Sequence, residues 1–322
     1  MRAASPTGRR SRPRSSSPIW SCRTSRPARA RRSRLLPELP FGIVEFTTLH
    51  ASFEEDLLAY GEAGADAIGI CELKLVDGRE REQLEAFRAS GLRAGACIPA
   101  VPSILPLPAL PGPESPGDRI EAIRAGMRRL APYEPTAFVC PSGPAGRLSE
   151  REARRLVVEG LRELADEGAR LGVPVGLEPM SPHFREDWTI PTTLSEAALL
   201  IDEAGAEGLG LVFDTWHLWD SPELYDEIGL HADRIVSVHV SDWRETTRSW
   251  CDRVLPGAGV VDLPGILEAL AASGWQGLHE VEIFSDDGTF GSDYEDSIWK
   301  RSASDVAFRA AEAFESLTSS VV

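Results

Sequence analysis

Residues 174–180 read Pro174-Val175-Gly176-Leu177-Glu178-Pro179-Met180, a short apolar run bounded by prolines that ends on an acid. The pattern just before it is different. From 149 to 171 the apolar positions Leu156, Val157, Leu161, Leu164 and Ala165 recur at the spacing of an amphipathic helix. A helix followed by a buried strand is one unit of an α/β fold, and working outward in both directions the unit repeats. Seven further β-prone runs lie at 41–48, 67–73, 93–100, 136–142, 208–215, 235–241 and 277–284, with helical stretches between them. Eight such units predict a closed parallel barrel, the (β/α)8 or TIM barrel, as a single domain over 38–322. An open doubly wound sheet is the competing α/β fold. It normally carries a Gly-rich phosphate loop after its first strand, and none follows Phe41.

The composition agrees with one large buried core, because 322 residues with 42% hydrophobic and 26% charged side chains are ordinary for a globular barrel. No apolar stretch approaches the ~18 residues that a membrane helix needs. Charge is uneven. Residues 1–37 hold eleven Arg and no acid, so the remaining chain carries −27 of a net −16. An acidic body argues against nucleic acid or an anionic membrane as partner and favours a small neutral substrate. The Arg-, Ser- and Pro-rich segment 1–37 has no apolar period and is expected to be a disordered extension. A transit peptide or a basic arm are alternatives, and read-through from an upstream start codon is the preferred reading. The five cysteines, Cys22, Cys71, Cys97, Cys140 and Cys251, form no Cys-x-x-Cys pair, so neither a disulfide framework nor a thiolate zinc site is expected. A reducing cytoplasm is the default location. Seven prolines in 99–116 rule out helix or central strand there, and a long loop over the barrel mouth is expected.

Active-site groups of a parallel barrel project from the C-terminal ends of its strands. The last four runs end Leu177-Glu178-Pro179, Phe213-Asp214, Val238-His239-Val240 and Val281-Glu282-Ile283. Four consecutive strands therefore deliver metal-competent side chains at matching height: Glu178, Asp214, His239 and Glu282. Three carboxylates and one imidazole suit a single divalent ion, with Mn²⁺ first and Mg²⁺ or Co²⁺ as alternatives, rather than a structural zinc. Any one of the acids could instead cap the following helix, but capping favours Ser, Thr, Asn and Asp far more than Glu or His. Glu280 shares the inward parity of Glu282 one layer deeper and is expected inside the barrel. His279 points outward by the same alternation.

With Gly-Leu-Glu178-Pro, Phe-Asp214-Thr-Trp-His217, Val-His239-Val-Ser-Asp242, Arg253-Val-Leu-Pro256-Gly257-Ala-Gly259 and Val-Glu282-Ile-Phe together, the chain from Phe41 onward resembles the xylose isomerase-like barrel superfamily of sugar phosphate isomerases and epimerases. Resemblance to its ketose 3-epimerases implies that Glu178 and Glu282 double as acid and base on opposite faces of the substrate, and that His217 and Arg253 bind substrate oxygens. In that comparison the place of a further substrate-binding Glu falls at residues 183–186 with shifted spacing, which makes Glu186 the candidate. The chemistry is coherent: a metal chelated by a ketone and its neighbouring hydroxyl acidifies the C–H between them and stabilises the enediolate. One carboxylate removes the proton and the other returns it.

Trp188, Trp216 and Trp219 follow the fifth and sixth strands, and Trp243 and Trp250 lie in an extended loop before Arg253. Trp216 and Trp243 are candidates to stack on a sugar or an aromatic aglycone, with core packing as the alternative. The loop Ser285-Asp286-Asp287-Gly288 stands where such barrels bind phosphate, and its two acids favour a non-phosphorylated sugar, ketose or inositol-derived substrate. The leading expectation is a metal-dependent sugar or polyol isomerase or epimerase. The same first step also begins an inosose-type dehydration, and a 3-keto C-glycoside deglycosidase acting with a small partner subunit is a further alternative. A homo-oligomer is left open. A non-catalytic sugar-binding barrel and a DNA-repair endonuclease are the readings outside that chemistry, and the acidic body argues against the latter.

Overall fold

The structure, a computed structural model, describes residues 39–319. The expectation of disorder for 1–37 lies outside the described residues. All eight β-prone runs form strands, shorter than the runs themselves: β1 (Phe41–Val44), β2 (Ala67–Gly69), β3 (Arg93–Ala94 and Ala96–Cys97, interrupted at Gly95), β4 (Ala137–Pro141), β5 (Val175–Glu178), β6 (Leu209–Asp214), β7 (Ile235–Val240) and β8 (His279–Val281). Each pairs in parallel with its neighbours, and β8 returns to β1 with Phe41 opposite His279 and Ile43 opposite Val281. The break in β3 does not open the barrel. Gly95 donates its N–H to Ile68 O and accepts the N–H of Thr136, so hydrogen bonding runs through it to both sides.

The strands stop early because the chain must turn outward at the rim, and side chains then take over from the ladder. After β1 the segment Glu45–Thr48 coils into a 3₁₀ turn, where the Thr47 hydroxyl donates to Val281 O and accepts the N–H of Ile283. The helix preceding β5, Glu150–Leu171, shows why the outer layer forms. Ser149 caps it by accepting the N–H of Glu152, and Gly172 ends it in the left-handed region at φ +73°. Ala153, Val157, Leu161 and Leu164 make its buried stripe, at the spacing that the sequence predicts.

The Pro-rich segment is a loop, as expected. Arg119 of the next helix (Pro116–Leu130) is 1% exposed and binds both of the loop's limbs. Its guanidinium donates to Ser103 O and Oγ, each at 2.8 Å, and to Pro113 O at 3.1 Å. No helix among the described residues is long and apolar enough to cross a membrane.

Candidate metal centre and the cavity above it

Strands β5 to β8 end at one rim. Glu178 is the last residue of β5, Asp214 the last of β6, His239 the penultimate residue of β7, and Glu282 directly follows β8. Register keeps them level, since Asp214 pairs with His239 and the N–H of Glu282 bonds Val240 O. All four side chains are buried, and one ligand-type atom from each lies within 4.8 Å of the others. His239 Nδ1 stands 3.7 Å from Glu178 Oε1 and 3.5 Å from Glu282 Oε2, yet neither ring nitrogen makes a hydrogen bond. A buried imidazole without a hydrogen-bond partner among three carboxylates suits a divalent cation bound through oxygen and nitrogen. Asp214 divides its work. Its Oδ1 accepts the N–H of Trp216 and caps the short helix after β6, while Oδ2 faces the cluster.

Arg253 closes the cluster from above. Its Nη1 lies 2.7 Å from Asp214 Oδ2 and 3.0 Å from Glu282 Oε2, and its Nη2 lies 3.1 Å from His217 Nε2. Two donors face this ring, the N–H of Ser181 at Nδ1 and the Arg253 guanidinium at Nε2, and a neutral imidazole can accept from one of them. Burial holds His217 down to about 4, so the ring is neutral. Burial likewise pushes Glu178 up to about 7, against the pull of His239. For Glu282 burial acts upward too, but His239 and Arg253 outweigh it and hold the carboxyl down at about 2. Two neighbouring carboxyls are thus driven apart, one able to carry a proton near neutrality and one kept ionised.

A family model described as the xylose isomerase-like TIM barrel matches residues 57–310. The chain belongs to that family. Among curated members it is similar to the inosose dehydratase of Geobacillus thermodenitrificans, 31% identical over 146 residues, which cover 41% of this chain and 47% of that protein. It is also similar to the D-psicose 3-epimerase of Enterocloster bolteae, 27% identical over 159 residues, covering 49% of this chain and 48% of the relative. The chain therefore spans about half the length of the curated relatives it matches. Among solved structures, the IolI protein with a binding zinc atom superposes with a TM-score of 0.71 at 21% identity, over 88% of this chain and 99% of that one, a likeness of fold.

Within this family barrel a cavity of about 50 Å³ opens from the cluster. Glu178, His217, Arg253 and Glu282 are its ionisable lining. The remaining lining is apolar and includes Phe46, Leu110, Met180, Trp188, Trp250 and Phe284. Three of the expected substrate-side residues lie elsewhere. Trp216 is fully buried behind this lining, 4.5 Å from Trp243 between ring centroids and stacked on Phe184 at 5.6 Å, with the Arg253 guanidinium 5.0 Å from its ring. Trp216 and Trp243 hold Arg253 from the back instead of lining the cavity, because their segments turn inward immediately after the strands. Glu186 is exposed and faces an outer groove with Arg151, Arg154 and Arg185. The turn Pro182–Phe184 and the one-turn helix Arg185–Trp188 carry Glu186 outward and Trp188 inward.

Two acids that the sequence reading quoted, Asp242 in a motif and Asp286 in the loop after the last strand, shape the site through backbone amides. Asp242 accepts the N–H groups of Trp243, Gly257, Gly259 and Val261, tying both ends of the loop that presents Arg253. The signal was present in the Pro-Gly-Ala-Gly turn, whose free amides need an acceptor. Asp286 accepts the N–H groups of Gly288, Phe290 and Ser292. A carboxylate of the protein's own thus takes up these amides.

Proposed function

We propose that this chain is a divalent-metal-dependent isomerase or epimerase of a non-phosphorylated sugar, ketose or inositol-derived polyol, working by proton abstraction next to a carbonyl. The observation that carries the reading is the set of Glu178, Asp214, His239 and Glu282 on four consecutive strand ends, with both nitrogens of buried His239 lacking a hydrogen bond. These four residues would hold the ion, Mn²⁺ by preference for a donor set rich in carboxylates. When bound, the ion supplies Lewis-acid polarisation of the carbonyl. Glu178 and Glu282 are the acid/base pair of this reading, one taking the proton from the carbon beside the carbonyl and the other returning one from the opposite face. His217 and Arg253 orient the substrate oxygens.

Asp286 in its amide nest supports a substrate without phosphate, and the acidic chain supports the absence of a nucleic-acid partner. Four buried, unpaired cysteines fit a reducing cytoplasm. Likeness to an inosose dehydratase keeps one second reading alive, in which the same proton abstraction is followed by loss of water.

Elemental analysis tests the centre. Wild type is expected to carry close to one divalent ion per chain, and Asp214→Asn to lose it. Added Mn²⁺ should stabilise wild type by about 2.7 kcal/mol at a hundred times Kd, and EDTA should reverse this. A wild type that neither carries nor takes up an ion sinks the mechanism. Product mass then separates the two readings, since epimerisation conserves it and dehydration removes one water.

A further inference from the structure

The cavity over the four-residue cluster is too small for the work proposed for it. Its volume is about 50 Å³, room for a water or two, whereas sites that take small molecules run to about 300–1,000 Å³. No sugar ring enters unless part of the lining moves away. Leu110, Trp188 and Trp250 line it from three different connections between strands. The proline-rich loop that carries Leu110 is pinned by the fully buried guanidinium of Arg119. The turn before Trp188 is tied to the site itself, where the N–H of Ser181 meets His217.

Trp250 is held differently. Asp242–Trp243 and Arg253–Val254 pair antiparallel, so the residues between them are the tip of a hairpin. The returning limb is fixed: Cys251 O accepts the N–H of Asp286, and Arg253 donates its N–H to Phe284 O. On that limb Asp252, 1% exposed, gathers the tip around one carboxylate. It accepts Arg244 Nε at 3.1 Å, the Arg248 backbone N–H at 2.9 Å, and Arg248 Nε and Nη2 at 2.8 and 2.6 Å. Beyond the hairpin, the tip's ion pairs among the described residues all go to Asp296, in the loop after β8. Its Oδ2 lies 2.7 Å from Arg244 Nη2, and its Oδ1 lies 3.0 Å from Arg248 Nη1 and Nη2. Arg248 also covers the Tyr294 ring at 3.8 Å, and Trp250 meets Trp188 and Phe290 edge-on at 4.9 and 5.0 Å.

The two carboxylates differ in strength. Ion pairs in reach of water contribute about 0–1 kcal/mol each, and the Asp296 side chain is 49% exposed. Breaking a buried pair costs several times more, which keeps the tip on Asp252. We propose that the hairpin tip 244–250 is a gate that turns about Asp252, with Asp296 as its latch, and swings Trp250 aside to admit substrate. Arg253, on the fixed limb, keeps its place in the site while the gate moves.

Access of a neutral thiol reagent, N-ethylmaleimide, to a cysteine in the cavity lining makes the test. Met180→Cys supplies the thiol, and Val139→Cys, a smaller change of volume, is the second reporter. Both are made in the full chain with Cys22→Ser, and peptide masses separate the introduced thiol from the buried Cys71, Cys97, Cys140 and Cys251. Labelling is expected to be about 10- to 1,000-fold slower than that of glutathione, the slowing that a minor open state imposes. Asp296→Ala, which cuts both outer ties, should raise the rate about three- to tenfold. Raising NaCl from about 0.05 to 0.5 M should speed the parent and leave that variant unchanged. A thiol that labels as fast as glutathione means an open site, and one that labels only on urea unfolding means no gate; either result overturns the proposal. So does an unchanged rate in Asp296→Ala, or a larger acceleration in Arg119→Ala, which moves the entry to the proline-rich loop. Urea unfolding is measured on every variant, and rates that merely follow global stability overturn it too. None of these readings needs an ion, so elemental analysis of the same samples tests the metal centre separately.

Discussion

Gly95 shows how much of the barrel interior hangs on a missing side chain. A Cβ there would fall 1.9 Å from Oε1 of Glu280, which fills the space beneath the metal-competent cluster. The Glu280 carboxyl accepts the N–H of Ala96 at 3.0 and 3.2 Å and faces the Ser237 hydroxyl at 3.4 Å. Burial raises its pKa. Gly95→Ala should therefore cost about 2–4 kcal/mol in urea unfolding, through overpacking against a group that cannot retreat. Removing the obstacle should relieve part of the cost, so Gly95→Ala with Glu280→Ala is expected to fall short of the summed single losses by about 1 kcal/mol or more. Strict additivity would separate the two residues. The inward placement of Glu280 was legible from its parity with Glu282. The role of Gly95 was not, because its neighbour arrives from the far side of the closed sheet.

At the scale of elements, the loop 99–116 decides what the mouth looks like. Its prolines announced a loop but not its path, which Arg119 sets with three hydrogen bonds to backbone and Ser103. Arg119→Ala should leave the buried Ser103 carbonyl without this donor and loosen both limbs of the loop, at a cost of about 1–3 kcal/mol. Hydrogen exchange should quicken in the loop's few amides and in no strand of the barrel; unchanged exchange there would mean that the apolar contacts of Leu107 and Leu110 hold the loop unaided. The tryptophans teach a related lesson. Their positions after strands five and six placed them near the mouth, but whether each faces the cavity or the shell depends on one turn of backbone. The turn before Trp188 brings it inward and puts Glu186 outside, whereas Trp216 passes behind Arg253.

The whole molecule closes along one seam, where β1 meets β8 and the last helix, Ala303–Ser319, packs over both. Phe314 of that helix stacks on Phe41 at 5.0 Å and lies 6.0 Å from His279, which points outward from β8 as its parity requires. Burial holds His279 down to about 4, and its Nδ1 has no hydrogen-bond partner. The unfolded chain protonates this ring below about 6.5 while the folded chain does not, so unfolding takes up a proton between those values. Stability should then fall as pH drops from about 6.5 towards 4, by up to about 1.4 kcal/mol per unit from this ring. His279→Phe should flatten that part of the profile in thermal unfolding between pH 7 and 5. A parallel decline in wild type and variant would assign the acid sensitivity to other groups.

Periodicity and the acid or imidazole at each strand end were sufficient, read along the chain, for the barrel and for its four-residue centre. Both depend on local spacing: alternation sets which side chains face inward, and strand ends set their height. The resemblance in the motifs added His217 and Arg253, and both line the cavity. What only the tertiary structure decided lies between elements that are distant in sequence. The hold of Asp242 on the Arg253 loop, the space that Gly95 leaves for Glu280, and the sorting of tryptophans into wall and shell all arise from closure. Closure brings together surfaces that no local pattern encodes, and the mixed polar and apolar lining of the cavity is made there.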